Sequence, residues 1–362
     1  MPEYNPVNEK LKKQYEEALL HGKHQQKKTV DAVWKAITQF ETFTGRQSFS
    51  TFNKEQAKGF KVWLEKQTNP KGEPLSLASL RSTLAAVREF FIWLAIHPQM
   101  RRHIDPRAAE YLHLSKNEDR AARASKPRSI PTLEQMRQAI MGMPHETDVE
   151  KRDRAIMAFL AMTAMRDAAL ISLRLEDVNL EKMTVWQDPK HVKTKFRKGI
   201  YTALIPLEPL FSNIVVEWVR YLREDLKRSP KSPLFPSTEV KANPETLAFE
   251  VTGLSETPWA SAAAVRDIFK TAFERVGLPY FHPHTCRHMI IAWGMERLNL
   301  QEMKALSQNL GHDNMMTTYN SYGYIQPEKQ VSLLHDIGYR GEKLATLTTE
   351  ELMEEYMRRK AT

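Results

Sequence analysis

Four short blocks of this 362-residue chain carry side chains that together could exchange a phosphodiester bond without a metal. Thr163-Ala164-Met165-Arg166 ends an apolar, helix-like run. His284-Thr285-Cys286-Arg287-His288 places a histidine and an arginine three apart, on one side of a helix. Leu310-Gly311-His312 follows, and then Thr317-Thr318-Tyr319-Asn320-Ser321-Tyr322. A phosphodiester repels nucleophiles, and negative charge grows on its equatorial oxygens during reaction. Two arginines can clamp those oxygens with fixed, bidentate donors. A histidine or lysine can carry the protons. A tyrosine phenolate leaves readily, so a tyrosyl phosphate keeps the bond energy and the strand can be resealed without ATP. Free tyrosine is only about 0.1% ionised near neutral pH, so it needs cationic or basic neighbours.

Each block alone has a plainer reading. An arginine at a helix end is usually a surface or capping residue. A lysine-rich hairpin is usually solvated, and a tyrosine among threonines usually packs. Their joint presence in this order favours the chemical reading.

The elements that must position these blocks read as follows. Val30, Val33, Trp34, Ile37 and Phe40 recur at helical spacing, with Thr29 as the expected N-cap and Gly45 as the stop. Residues 52–64 read as a short helix. Ser76 caps a longer one, with an apolar stripe of Leu77, Leu80, Leu84, Val87, Phe91 and Leu94 and with Arg81 and Arg88 opposite. This predicts an N-terminal helical domain over 1–118. A charged stretch with Pro127 and Pro131 predicts a basic linker over 119–131. In the second domain, 132–340, Thr132 caps a helix over 133–141, and another spans 152–163. Two strands, 183–187 and 201–205, flank a lysine-rich hairpin. Helices follow over 214–222 and 265–276, the latter ended by Gly277. Residues 229–258, rich in Pro and Ser, read as irregular. A tail over 341–362 holds a short helix, 349–359, whose Leu352, Tyr356 and Met357 could dock on a neighbour. The fold class is mainly α with a small β-hairpin or sheet.

The net charge of +9 and pI of about 9.4 favour a polyanionic partner. Basic residues cluster at Lys116, Arg120, Arg123, Lys126 and Arg128, and again at Lys190, Lys193, Lys195, Arg197 and Lys198. The single cysteine, Cys286, excludes an internal disulfide and fits a reducing cytoplasm. No signal pattern opens the chain, and the longest apolar run, 155–165, is too short to cross a bilayer. A cytoplasmic protein without membrane contact is expected.

The blocks resemble those of the tyrosine recombinase (phage integrase) family. Arg166 matches the arginine of a T-G-x-R segment followed by L-x-L-x-x-x-D. Lys193 matches the lysine of a β-hairpin, His284 and Arg287 an H-x-x-R block, and His312 an L-G-H block. Tyr322, ten residues after His312, matches the nucleophile. The resemblance covers roughly 132–335, and the N-terminal helices resemble the family's core-binding domain. It implies that Arg166 and Arg287 hold the scissile phosphate and that Tyr322 forms a 3′-phosphotyrosyl link. It implies Lys193 as the acid for the 5′-hydroxyl, His284 assisting proton transfer, and His312 bonding a phosphate oxygen. His288 supports the site. Lys195, expected two residues on along the same strand face, could replace Lys193, and Tyr319 and Tyr324 compete with Tyr322.

The resemblance also implies double-stranded DNA recombination sites as partners, a dimer on each site, a tetramer in synapsis, and accessory DNA-bending or directionality factors. No cofactor or metal is expected, and the bound protein would associate with the nucleoid. Arg81, Arg88, Arg120, Arg123, Lys126, Arg128, Lys190 and Arg197 are the expected DNA-contacting residues. Three departures stand out: Ala164 where the family has glycine, Ala169 where it often has an acidic residue (with Asp167 nearby), and Cys286 where it has leucine. Rival readings are a zinc site on His282, His284, Cys286 and His288, though no acidic residue lies between them, a non-catalytic DNA-binding regulator, and a type IB topoisomerase.

Overall fold

A computed structural model describes residues 4–123, 129–243, 248–322, 325, 330–335 and 353, with the backbone alone at 320–322. Expectations for Lys126, Arg128, Tyr324, Leu352, Tyr356, Met357 and a helix over 349–359 lie outside the described residues. The chain forms two units, residues 1–124 and 125–362.

The first unit is helical: α1 (Pro6–Glu17), α2 (Lys27–Phe43), α3 (Lys54–Glu65), α4 (Leu77–Ile96), α5 (Pro106–Ala109) and α6 (Lys116–Arg123). Its core is aromatic. Phe40, Phe60, Phe90 and Phe91 are fully buried, and Phe52 stacks on Phe91 with centroids 3.6 Å apart. Ser76 accepts from Ser79 N and caps α4 as its sequence suggests. Thr29 is not the cap of α2. The extended backbone that a cap needs lies at Gln26, whose carbonyl accepts from Thr29 N and Val30 N. The third helix starts after Asn53, which accepts from Gln56 N, and not at Phe52. Residues 119–123, expected as linker, continue α6. Asp119 there pairs with Arg81 (2.7 Å) and Arg123 (2.8 Å), and Glu118 pairs with Lys61 (3.0 Å).

The second unit is built around α8 (Asp148–Thr163), in which every residue from 155 to 163 is buried. Helix α7 (Leu133–Met141) opens with a capping box of Thr132 and Gln135. A second box, Thr147 with Glu150, starts α8 four residues before the expected position. The short helix α9 (Asp167–Leu170) leads to an antiparallel sheet of β1 (Val178–Asn179), β2 (Thr184–Gln187) and β3 (Ile200–Ala203), in that order. In its register Val185 faces Thr202. Helix α10 (Pro209–Arg220) follows.

Residues 236–242 and 249–258, expected as irregular, are strands. Strands β4 (Pro236–Ala242) and β5 (Phe249–Pro258) pair antiparallel as a ribbon. The ribbon is largely exposed, with no in-and-out alternation of burial, and its pairing shifts register between Pro236 and Thr238 and again between Glu239 and Val240. Pro236 and Pro258 lie at strand ends, where a missing N–H costs least. The ribbon's base is held by Arg152, a buried side chain that donates to Pro236 O and Thr238 Oγ1, both at 3.0 Å. Helices α11 (Ala263–Arg275), α12 (Thr285–Arg297), α13 (Leu300–Asn309) and α14 (Met315–Tyr322) complete the unit. No described helix is long and apolar enough to cross a membrane.

Candidate active site

Arg287 is the hub. It lies in the first turn of α12 and is only 1% exposed. Its Nη1 donates to Ala164 O (2.9 Å), and its Nη2 donates to Leu310 O (2.6 Å) and to His312 Nε2 (3.1 Å). Three blocks, the first of them more than a hundred residues before the other two, therefore meet on one guanidinium. Local backbone makes this meeting possible. Ala164 ends α8 in the left-handed region (φ 47°), which leaves its carbonyl free of the helix ladder. Gly311 has φ 71°, and a Cβ there would come within 2.5 Å of Ile200 Cδ1 on β3. The glycine of Leu-Gly-His is thus required twice, by conformation and by close approach.

Arg166 caps α9 and is half-buried. Among the described residues its guanidinium has no hydrogen-bond or ion-pair partner. Its charge reaches both His284 and His312. His284 precedes the first residue of α12, with its ring centroid 5.9 Å from that of His288. Burial first, and the positive charge of Arg287 second, lower the pKa of His284 to about 4. The same two causes, with Arg166 and Lys195 adding charge, lower His312 to about 4. Both rings are neutral near pH 7.

The lysines lie elsewhere than expected. Strand β2 ends at Gln187 and β3 begins at Ile200, so Lys193 and Lys195 occupy a loop and share no strand face. Lys195 begins a short turn in which Phe196 and Arg197 have positive φ. The pairing stops because polar and charged residues, with the turn at Asp188–Val192, take over from the alternating pattern. The loop is nevertheless tethered at three points. Asp177 accepts from His191 Nε2 at 2.9 Å, Ser172 Oγ accepts from Lys193 N at 2.8 Å, and Lys198 pairs with Asp313 beside His312. Of the two lysines, Lys195 is the one whose charge reaches His312.

Tyr322 is the last residue of α14, and its side chain lies outside the described residues. Tyr319 packs against the hydrophobic core of the unit, as a structural tyrosine does. Asp167, near the position of the expected acidic residue, pairs with Arg266 at 3.7 Å. Cys286 is buried, which pushes its thiol up to about 12 and keeps it from acting as a thiolate ligand. No group of three His, Cys, Asp or Glu side chains among the described residues could hold a metal ion.

Among the expected DNA contacts, Arg81 and Arg123 share Asp119, and Arg88 lies 3.8 Å from Glu89. Arg120, Lys190 and Arg197 are exposed. Sequence reasoning missed Ser307, Thr318 and Asn309. Thr318 Oγ1 lies 2.8 Å from His312 Nδ1, and Asn309 clamps β3. Only the pair Thr317-Thr318 gave any signal, as two threonines beside the tyrosines.

Residues 132–329 match the model of the phage integrase family. The chain belongs to this family. The integrase-family chain is 25% identical over 182 residues to tyrosine recombinase XerD of Bifidobacterium longum, covering 49% of this chain and 51% of that protein. It is 25% identical over 247 residues to tyrosine recombinase XerC of Xanthomonas campestris, covering 67% and 63%. It thus spans between half and two thirds of the length of these relatives. Its fold is similar to that of a lambda integrase fragment solved as a dimer bound to a COC′ core site, with a TM-score of 0.59 at 14% identity, covering 88% of this chain and 97% of the other. These matches account for a mainly helical catalytic fold with small sheets.

Proposed function

We propose that this integrase-family chain is a site-specific recombinase that cleaves and rejoins double-stranded DNA. Arg166 and Arg287 hold the scissile phosphate. Tyr322 attacks it and forms a 3′-phosphotyrosyl link, and Lys193, or Lys195 in its place, protonates the departing 5′-oxygen. His284 assists proton transfer, His288 supports it, and His312 bonds a phosphate oxygen. The observation that carries this reading is the convergence of the first arginine block, the His-x-x-Arg block and the Leu-Gly-His block on the Arg287 guanidinium. A guanidinium so placed is already oriented before substrate arrives, which is how fixed donors stabilise developing charge.

In this reading residues 1–118 grip the core DNA, 119–131 follow the phosphate backbone, 132–340 carry the chemistry and 341–362 reach a neighbouring subunit. Exposed Arg120, Lys190 and Arg197, with Arg81, Arg88, Arg123, Lys126 and Arg128, contact phosphates. Two copies bind each site, four form the synapse, and the element moved is a mobile one. The protein acts in the cytoplasm, at the nucleoid.

The test uses two supercoiled circles that each carry the candidate attachment region. Recombinant junctions in the products support the proposal. Relaxed circles without junctions would make the protein a type IB topoisomerase. Tight binding with neither product would make it a regulator.

A further inference from the structure

A guanidinium carries only donors, so the contact from Arg287 Nη2 to His312 Nε2 makes that nitrogen an acceptor. The neutral ring therefore carries its proton on Nδ1. Nδ1 lies 2.8 Å from Thr318 Oγ1, and Thr318 donates over 2.8 Å to Ser307 Oγ. The result is one directed chain of donors and acceptors: Arg287, His312, Thr318, Ser307. It is shut off from water, with His312 at 7% exposure, Thr318 at 0% and Ser307 at 2%. The backbone closes the same ring, because His312 N donates to Ser307 O at 3.1 Å.

A buried threonine in a helix can satisfy its hydroxyl on a carbonyl one turn back, as Thr163 does on Phe159 O at 2.7 Å. Thr318 instead bonds two side chains from outside its own helix. It also stands on α14, four residues before Tyr322. One hydroxyl thus joins the imidazole to the helix that carries the nucleophile of the reading above.

Resting on that reading, we infer that Thr318 is a positioning residue of the recombinase site. Its hydroxyl, held by Ser307, fixes His312 as the Nδ1–H tautomer, so that the Nε2 lone pair aims Arg287 and the pair is registered on α14. Bonding of a phosphate oxygen by Nε2 needs a second proton on the ring, taken up from solvent as the anion binds, and releases Nε2 from Arg287, while Nδ1–H stays on Thr318. Without the hydroxyl, the Nε2–H tautomer becomes accessible and sets an N–H against an N–H of Arg287.

The experiment uses full-length protein labelled with 15N in histidine, with the His312 signals assigned by their loss in His312→Gln. Wild type and Thr318→Ser should show an N–H type Nδ1 and an acceptor-type Nε2. Thr318→Val should show a mixture of tautomers. Ser307→Ala, which leaves α14 untouched, should shift the mixture the same way and serves as the second variant. On DNA, Thr318→Val should form covalent adduct on the order of tenfold more slowly at unchanged DNA affinity, and Thr318→Ser should restore the rate. An Nε2–H tautomer in wild type would overturn the inference. So would a Thr318→Val protein whose tautomer and rate both match wild type. If wild type forms no adduct at all, the reading of the site fails, while the nitrogen spectrum still decides the relay.

Discussion

Asn309 binds both backbone groups of Ala203: Ala203 N donates to its Oδ1 at 2.6 Å, and its Nδ2 donates to Ala203 O at 3.2 Å. The side-chain amide takes the place of a fourth strand along the edge of β3. It fixes the end of α13, and so the start of the Leu-Gly-His turn, against the sheet whose loop carries Lys193. Asn309→Ala removes both bonds and is expected to cost roughly 1–2 kcal/mol, because the site is half-exposed and water replaces part of the loss. Urea unfolding of the two proteins checks this. DNA cleavage is expected to fall with stability still sufficient for folding, since the turn loses its register against β3.

Ala164 holds a left-handed conformation while fully buried. Ala164→Gly relieves strain of about 1–2 kcal/mol. It also loses a buried methyl, about 0.8 kcal/mol, and adds chain entropy of roughly 0.5–1 kcal/mol. The expected change in Tm is therefore small. Ala164→Val has no such balance. A β-branched residue at this φ is expected to destabilise by roughly 2 kcal/mol or more, and to misdirect the carbonyl that Arg287 uses.

The two loop lysines are separable by leaving-group chemistry. A DNA substrate with sulfur in place of the bridging 5′-oxygen departs without a proton donor. Lys193→Ala is expected to slow cleavage of ordinary DNA on the order of 100-fold or more, and the sulfur substrate is expected to restore it. Lys195→Ala is expected to show a smaller loss with no such rescue. The reverse pattern would move the acid to Lys195, whose charge already reaches His312.

Stability should depend on pH through His284 and His312. Both fall to about 4 in the folded protein, below the ordinary 6.5. The unfolded chain therefore binds protons first as pH drops. Stability is complete above about 6.5 and is lost as pH falls toward 4, by at most roughly 3 kcal/mol for each ring. Urea midpoints measured across this range check the slope, and His312→Gln should remove part of it.

The local signals of this protein, its caps and its helical spacing, were readable from the chain. Thr132 with Gln135, Ser76, and the stripe Leu80-Leu84-Val87-Phe91 follow local rules of capping and helical period, and their helices form where expected. The blocks around Arg166, Arg287 and His312 could be named from residue type and order. Their contacts with one another rest on carbonyls, those of Ala164 and Leu310, which no sequence pattern reveals. Strands β4 and β5 escaped notice because a ribbon largely exposed on both faces has no period-2 burial pattern to mark it, and Pro and Ser thin its β-forming residues. Thr318, Ser307 and Asn309 are ordinary polar residues in sequence. Their roles arise from partners as far as 106 residues away, and such bonds leave no periodic trace.

The central claim is a covalent bond from Tyr322 to DNA. Wild type and Tyr322→Phe would each be incubated with supercoiled DNA carrying the candidate attachment region, then denatured with detergent and assayed for protein bound to DNA. The account predicts an adduct with wild type and none with Tyr322→Phe, although both bind the DNA equally. An adduct that survives Tyr322→Phe, and disappears only when Tyr319 or Tyr324 is replaced, would contradict it.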